Sequence, residues 1–388
     1  MKKLFIITGE HSGDLHASFI VKELKSIMPD LTIEAVGGKH LETEGVKLFS
    51  DHSKMAVVGL DAIKSIFSHI KLGKSIYNYL KDEYKPDLVL LIDYGGFNLR
   101  LAPELKKAGM NVYYYISPQV WATRKNRLKT IKKYIDKMML ILPFEEKIHK
   151  KAGVNAEYVG HPLISQLDRS FDKEEFIKVN ELDPYKKIIG IFPGSRKMEI
   201  NYLLPVFLNA ARIIQQHAMK TQFCIGQASN IDDKLITKYL DELNKDRLLD
   251  IKIIKNQNHA LLSSADAAIL ASGTITLEAA IYKTPMVVSY KGPHIAYWIY
   301  LMLRYIKHIS LPNIIAEREI VKEFVQDNAK PELIANEVLS LLHNKQKNDE
   351  MTENLSAIQE LLGDKIASKE AAKIIFNTLN SISSEPNT

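Results

Sequence analysis

Two polar segments that each follow a short apolar run carry side chains suited to a phosphorylated ligand. The first is Phe192-Pro193-Gly194-Ser195-Arg196, directly after the apolar residues 188–191. A Pro-Gly turn at the end of a strand leaves backbone N–H groups free, and the next helix points its positive end at the same place. Ser195 and Arg196 add a hydroxyl and a planar fork of donors that match a diphosphate. The alternative is an ordinary strand-to-helix turn with a surface arginine.

The second segment, Ser272-Gly273-Thr274, repeats this arrangement and is followed by Glu278 on the first turns of a predicted helix. A carboxylate at that position can bind a ribose diol, as acidic residues do in dinucleotide folds. Together with Ser195 and Arg196, it predicts a nucleotide diphosphate site. Further along, Asn313 offers an amide in a Pro-containing loop, and Glu323 and Gln326 follow on a segment that we predict to be helical.

The amino-terminal segment Gly9-Glu10-His11-Ser12-Gly13-Asp14 predicts a different ligand. Its two glycines permit a tight loop after the first strand, but the carboxylates of Glu10 and Asp14 would repel a pyrophosphate. An uncharged hydroxylated group such as a sugar fits better. The alternative is that Asp14 or Ser12 caps the following helix.

Asp93 ends another apolar run, at the edge of the predicted sheet where catalytic groups of parallel sheets lie. If burial raises its pKa, it is suited to act as a general base. The alternative is that Asp93 holds the Gly95-Gly96 loop by local hydrogen bonds. In the segment 117–125, Gln119 and Trp121 lie beside basic residues, which suits an anion or a sugar; a helix start with a solvated basic face is the alternative.

Short apolar runs alternate with longer amphipathic stretches, which is typical of parallel sheets covered by helices. The 388 residues allow about two domains. We predict an α/β protein with two Rossmann-like domains, residues 1–165 and 185–345, joined by a polar linker, with a helical tail from 331. The predicted strands are 4–8, 32–36, 88–92, 111–116, 138–142 and 158–159, then 186–192, 222–225, 251–254, 267–271 and 286–289.

Composition narrows the class of protein. The net charge of +6 suits anionic substrates or an anionic membrane surface, and nucleic-acid motifs are missing. A single cysteine excludes an intrachain disulfide, and no metal-binding motif is visible, so we expect no cofactor or metal. No apolar run reaches the length of a membrane span; the nearest, residues 295–303, could lie on a membrane or be a buried helix. The short apolar amino terminus predicts a cytoplasmic protein.

Seven motifs in this order resemble the lipid-A-disaccharide synthase family of GT-B glycosyltransferases. They are GEHSGD at 9–14, SPQVW at 117–121, LPFE at 142–145, VGHP at 159–162, PGSR at 193–196, ASGT at 271–274 and SLPN at 310–313. The resemblance implies two Rossmann-like domains facing across a cleft, with helices at about 350–380 packing back on the first domain. It also implies inverting transfer from UDP-2,3-diacylglucosamine to 2,3-diacylglucosamine 1-phosphate, forming a β(1→6) bond and releasing UDP. The alternatives are a UDP-N-acetylglucosamine 2-epimerase-like enzyme and a non-catalytic UDP-sugar-binding protein.

The resemblance assigns roles by position. The residues implied to hold UDP are Gly194, Ser195, Arg196, Ser272, Gly273, Thr274, Glu278, Asn313, Glu323 and Gln326. Those implied to face the acceptor are Gly9, Ser12, Gly13, Gln119 and Trp121. Family members commonly have a proline, and often a second acidic residue, in the segment matching 94–96, and this chain has neither. Three carboxylates therefore remain as candidates for the base: Asp93 first, then Asp14 and Glu10.

Acylated substrates imply an apolar surface near the acceptor site, and the segment 55–80 is amphipathic, with lysines among its apolar residues. We predict that it faces acyl chains and an anionic inner-membrane surface through Val58, Ile63, Ile66, Phe67 and Ile70. The alternative is a helix that faces the core. This arrangement predicts a cytoplasmic enzyme held peripherally at the membrane, and a homodimer is compatible with it.

Overall fold

The computed structural model describes residues 1–51, 62–246, 248–293 and 307–382, with the backbone alone for residues 62–68. The chain divides into two compact units. The first contains residues 1–165 and the segment from 364 onward, and the second contains residues 166–363. Each unit is built around its own parallel sheet.

The first unit has a seven-stranded sheet in the order β3-β2-β1-β4-β5-β6-β7, with every neighbouring pair parallel. Both faces are apolar: Phe5 and Tyr114 pack on one side, and Ile6 and Leu90 on the other. The strands are β1 Lys3–Ile7, β2 Thr32–Gly37, β3 Lys47–Asp51, β4 Leu88–Ile92, β5 Val112–Tyr115, β6 Lys137–Leu140 and β7 Ala156–Tyr158. The helices are α1 His11–Ile27, α2 Lys39–Thr43, α3 Ala62–Asn78 with a π-helical continuation Tyr79–Tyr84, α4 Gly95–Lys107, α5 Arg127–Tyr134 and α6 Pro143–Lys151. A short helix, α7 Leu163–Gln166, lies where the chain passes to the second unit.

The second unit has a six-stranded parallel sheet in the order β10-β9-β8-β11-β12-β13. Its strands are β8 Lys187–Phe192, β9 Thr221–Gln227, β10 Ile251–Lys255, β11 Ala267–Ala271, β12 Met286–Tyr290 and β13 Lys322–Val325. The helices are α8 Lys173–Val179, α9 Lys197–His217, α10 Asp233–Leu243, α11 Asn258–Ser264, α12 Ile275–Ile281, α13 Leu311–Ala316, α14 Pro331–His343 and α15 Lys345–Leu362. The last helix, α16 Ala367–Ser381, belongs to the first unit, where it packs on α1.

Both sheets have the strand order of doubly wound folds, which confirms the predicted fold class. Two strands were missed, β3 and β13; both lie at a sheet edge, are only partly buried and show little apolar patterning. The helix predicted over Glu323 and Gln326 was wrong: Glu323 lies on β13, and Gln326 begins a 3₁₀ turn.

The carboxyl-terminal helices divide differently from the expected grouping. Residues 345–362 form α15, whose buried Met351, Leu355 and Ile358 pack within the second unit against α12, α13 and α14. Only α16 returns to the first unit, through buried Ala371 and Ile375. None of the described helices is long and apolar enough to cross a bilayer.

Candidate functional site

The turn between β8 and α9 is already built around an anion. Gly194 has a φ of +114°, and a Cβ there would lie under 3.0 Å from Glu199. The backbone N–H groups of Ser195 and Arg196 both donate to Glu199 Oε2, at 3.0 and 3.2 Å, and Arg196 Nη1 lies 2.9 Å from Oε1. The expectation that these N–H groups are free was wrong, because the helix supplies its own carboxylate. The turn nevertheless has the geometry that a phosphate oxygen needs.

This turn lines a cavity of about 410 Å³ in the second unit. The second polar segment joins it there because β11 pairs directly with β8, so the loops after both strands meet at one sheet edge. The predicted residues that the structure brings together around this cavity are Gly194, Ser195, Arg196, Ser272, Gly273, Thr274 and Glu278. The fold thus brings the turn after β8 and the carboxylate of Glu278 to one cavity.

Asn258 and His259, at the start of α11, also line this cavity and were missed from the sequence. His259 Nε2 lies 3.4 Å from Glu278 Oε2, and this hydrogen bond raises the pKa of His259. Asn258 Oδ1 is buried without a hydrogen-bond partner among the described residues, so it can accept one from a ligand. Only their position after a strand end could have indicated them.

Asn313, Glu323 and Gln326 are absent from the cavity lining that the structure describes, although they were predicted to hold a nucleotide. Their polar atoms are engaged internally. Glu323 accepts from Ile309 N, Ser310 N, Ser310 Oγ and Asn313 Nδ2 at 2.6–3.0 Å, and Gln326 exchanges two hydrogen bonds with the backbone of Gly292. Ser272 Oγ donates to Ile309 O at 2.7 Å. These side chains therefore support the loop beside the cavity.

In the first unit, Asp93 follows β4 in a left-handed backbone conformation, with φ values of 45° at Asp93 and 50° at Tyr94. Its backbone is held on both sides: the N–H donates to Tyr115 O at 3.0 Å, and the carbonyl accepts from Asn98 Nδ2 at 2.8 Å and from the Tyr114 hydroxyl. Burial raises the pKa of the Asp93 carboxyl, and the charge of Glu10 raises it further. The carboxyl therefore binds a proton more tightly than a solvated aspartate does.

The Tyr94 ring lies directly over Gly9, so the loop after β1 and the loop after β4 fit together only without a side chain at residue 9. A Cβ at Gly9 would lie under 3.0 Å from three Tyr94 ring atoms. We expect Gly9→Ala to lower the free energy of unfolding by about 1–3 kcal/mol, the usual cost of overpacking. Urea unfolding measures the loss. Gly96→Ala is the control, because a Cβ there meets no atom within 4 Å; an equal loss in both variants would contradict the prediction.

Asp14, an alternative candidate base, has a structural role. Its buried carboxylate accepts from the backbone N–H groups of Gly38 at 2.7 Å and His40 at 2.8 Å, and so caps α2 rather than its own helix. The other candidate, Glu10, is exposed together with Ser12 at the start of α1, while Gly13 is buried. Their expected contact with an acceptor stays a prediction.

Trp121 was predicted to contact an acceptor, but its side chain is only 5% exposed. The indole Nε1 donates to Glu145 Oε1 at 2.9 Å, and Glu145 Oε2 accepts from Leu142 N at 3.3 Å. Beside this pair, Ser117 Oγ lies 3.0 Å from His149 Nε2. The buried network fixes the loop after β5, and it leaves Gln119 exposed on that loop.

Burial raises the pKa of Glu145 to about 8, so this carboxyl binds a proton more tightly in the folded state than in the unfolded state. Stability from this group is therefore present at low pH and decreases as the pH rises from about 5 to 9. We expect wild type to lose about 4 kcal/mol relative to Glu145→Gln over that range, since each pKa unit corresponds to about 1.4 kcal/mol. Urea unfolding at both pH values measures the difference.

Glu146→Gln is the matched control, because the neighbouring Lys150 lowers the pKa of Glu146, which stays ionised over the whole range. Its offset from wild type should not change between pH 5 and 9. A pH-independent offset for Glu145→Gln would contradict the prediction.

A second cavity, of about 640 Å³, lies between α3 and α4 beside Tyr94. Its lining is largely apolar and aromatic, and the residues that line it are His69, Ile70, Gly73, Lys74, Tyr77, Asn78, Tyr94, Gly96, Phe97, Arg100, Leu101 and Glu104. Ile70 is 60% exposed at its edge. Of the other residues predicted to face acyl chains, Val58 and the side chains of Ile63, Ile66 and Phe67 lie outside the described residues. The whole segment 295–303 also lies outside them.

Comparison with known proteins gives consistent matches over nearly the whole chain. The family model described as lipid-A-disaccharide synthetase matches residues 4–376. A lipid-A-disaccharide synthase of Coxiella burnetii is 38% identical over 379 residues, covering 97% of this chain and 99% of the relative. The synthase of Syntrophus aciditrophicus is 39% identical over 371 residues and covers 96% of each chain.

Solved structures resemble the fold at low sequence identity. The UDP-GlcNAc 2-epimerase of Neisseria meningitidis bound to UDP-GlcNAc has a TM-score of 0.65 at 15% identity, covering 98% of this chain and 100% of its own. The S. aureus MnaA–UDP structure has a TM-score of 0.68 at 15% identity, covering 100% and 99%. At this identity the similarity concerns the fold alone.

Proposed function

The chain belongs to the lipid-A-disaccharide synthase family of glycosyltransferases, and we propose that it joins two acylated glucosamine units. In this proposal the donor is UDP-2,3-diacylglucosamine and the acceptor is 2,3-diacylglucosamine 1-phosphate. The products are a β(1→6)-linked disaccharide 1-phosphate and UDP. The observation that supports it best is the apolar cavity next to the loop of Asp93, a half-buried carboxylate with a raised pKa.

The donor is assigned to the cavity of the second unit. Ser195, Arg196 and the N-terminus of α9 bind the diphosphate, taking over the hydrogen bonds that Glu199 now accepts. Glu278 binds the ribose hydroxyls. As the sugar–phosphate bond breaks, negative charge develops on the leaving UDP, and the Arg196 guanidinium stabilises it.

The acceptor is assigned to the first unit. Asp93 removes the proton of the 6′-hydroxyl while that oxygen attacks the anomeric carbon, and the bond between this carbon and the UDP oxygen breaks with its electron pair. One displacement of this kind inverts the configuration at the anomeric carbon and forms no covalent enzyme intermediate. The raised pKa of Asp93 makes the carboxylate a stronger base than a solvated one.

The cavity between α3 and α4 is assigned to acyl chains of the acceptor. Burying each CH₂ contributes about 0.8 kcal/mol, so long chains should add greatly to binding in the transition state. The test compares 2,3-diacylglucosamine 1-phosphate with glucosamine 1-phosphate as acceptors. We expect kcat/KM to fall by at least about 1,000-fold without the chains. Equal turnover of both acceptors would contradict the assignment.

The same edge of the molecule is proposed to rest on an anionic membrane, with the protein held there from the cytoplasmic side. Ile70 is exposed on α3 beside the exposed Lys71 and Lys74. We expect Ile70→Glu to reduce cosedimentation with anionic vesicles severalfold, because it replaces an inserting side chain by a repelled charge. Ile27→Glu, at an apolar side chain 47% exposed on α1, is the control. The same loss in both variants, or in neither, would contradict the proposal.

A further inference from the structure

Three arginines lie on α4, on α5 and in the turn before α5, two helices that pack together beside the loop after β4. Arg127 begins α5 and lies over the loop after β4: its Nη1 is 3.2 Å from the position that a Cβ of Gly95 would occupy. Arg100 lies on α4 and lines the apolar cavity. Arg124 is in the turn before α5, where Arg127 N donates to Arg124 O at 2.9 Å.

The charges of Arg100 and Arg124 both act on the guanidinium group of Arg127. Partial burial lowers the pKa of Arg127, and the charges of Arg124 and Arg100 lower it further, so Arg127 is repelled by both of them. Burial raises the pKa of Tyr114, and the charge of Arg127 opposes this rise. The Tyr114 hydroxyl donates to the carbonyl of Asp93. Arg127 is therefore linked to the residue of the proposed base through Tyr114.

Among the residues with described side chains, no carboxylate forms an ion pair with any of the three guanidinium groups. Other basic side chains are paired: Lys106 pairs with Asp136, and Arg212 pairs with Asp246. The N-terminus of α4 adds to the positive potential: no side chain caps it, and Gly96 there is exposed. Uncompensated repulsion of this kind costs free energy unless an anion binds.

We propose that Arg100, Arg124 and Arg127 bind the phosphomonoester of the glycolipid acceptor. This inference rests on the proposed function, which supplies a phosphate on the acceptor sugar. Guanidinium forks match phosphate oxygens in pairs, and a phosphate dianion offers enough acceptors for several of them. Arg127 lies beside the loop that follows Asp93, which takes the reacting hydroxyl, and Arg100 lines the apolar cavity, which takes the acyl chains. In the acceptor, one sugar ring carries the reacting hydroxyl, the acyl chains and the phosphate.

The test measures kcat/KM for two acceptors, 2,3-diacylglucosamine with and without its 1-phosphate, in wild type and in Arg127→Ala. We expect Arg127→Ala to lower kcat/KM about 10- to 100-fold for the phosphorylated acceptor, the range of a charge-assisted contact, and to leave the dephosphorylated acceptor and the donor KM unchanged. Arg127→Lys should recover part of the preference. Lys129→Ala, which removes an exposed charge from the same helix, should not change it.

Equal losses on both acceptors, or no loss on either, would overturn the proposal. So would an Arg127→Ala variant that keeps its acceptor preference but no longer binds phosphatidylglycerol vesicles, since the cluster would then bind membrane headgroups. If wild type makes no disaccharide from either acceptor, the proposed function fails. In that case, the Kd values of the two detergent-solubilised glycolipids are measured for wild type and for Arg127→Ala. Weaker binding of the phosphorylated glycolipid alone in Arg127→Ala would support the phosphate site, and equal changes for both glycolipids would overturn it.

Discussion

Asp93→Asn is expected to lower kcat by about 10²- to 10⁴-fold, the usual contribution of a general base, with little change in the KM of the donor. Asparagine tolerates the left-handed backbone of residue 93, and the contacts that hold this residue come from its own N–H and carbonyl groups. The variant should therefore fold as wild type does, and steady-state kinetics with circular dichroism measures both properties.

Two further variants separate Asp93 from the other carboxylates of this edge. Asp14→Asn should lower the free energy of unfolding. The two carboxylate oxygens accept from Gly38 N and His40 N, and the NH₂ group of an asparagine can accept neither hydrogen bond. Glu10→Gln should keep its activity. Its kcat/KM should reach the plateau at a lower pH, because the Glu10 charge that raises the pKa of Asp93 is gone. A wild-type kcat in Asp93→Asn would contradict the assignment of the base.

Arg196→Ala is the second large effect, with an expected loss in kcat of about 10²- to 10³-fold. That is the range for removing one donor that stabilises charge in a transition state. The Arg196 side chain is 78% exposed, and among the described side chains its guanidinium pairs with Glu199 alone, so the free energy of unfolding should change little. Rates of UDP formation at saturating donor measure the effect.

Lys197→Ala is the matched control, because Lys197 is the next residue, carries the same charge and is exposed. This variant should retain nearly full kcat, because the leaving group is stabilised by direct contact with the Arg196 guanidinium and not by the summed positive charge of the surface. Equal losses in the two variants would indicate such a field, and no loss in Arg196→Ala would remove Arg196 from the leaving-group site.

The fold and the nucleotide half of the site follow from local sequence signals. Runs such as residues 188–191 and 267–271 are fully apolar because strands of a parallel sheet are covered on both faces. Polar residues directly after such strands must lie at the carboxyl edge of the sheet, and β8 and β11 are neighbours there. Ser195, Arg196, Ser272 and Glu278 could therefore be predicted to meet.

The roles that could not be predicted depend on partners distant in the sequence. The sequence suggests a functional carboxylate at Asp14, but the fold brings the N–H groups of residues 38–41 to it. The sequence also suggests a sugar contact for Trp121, but its indole N–H donates to Glu145 in a buried network. Glu199 fills the anion turn from the helix that follows. The cluster of Arg100, Arg124 and Arg127 arises because α4 and α5 pack together, which residue spacing does not indicate.

The proposed function is tested by incubating the purified protein with UDP-2,3-diacylglucosamine, with and without 2,3-diacylglucosamine 1-phosphate, and following UDP and lipid products by mass spectrometry. We expect a disaccharide 1-phosphate and an equal amount of UDP, both formed only when the acceptor is present. UDP-sugar binding without disaccharide, or epimerisation of UDP-N-acetylglucosamine by the same preparation, would contradict it.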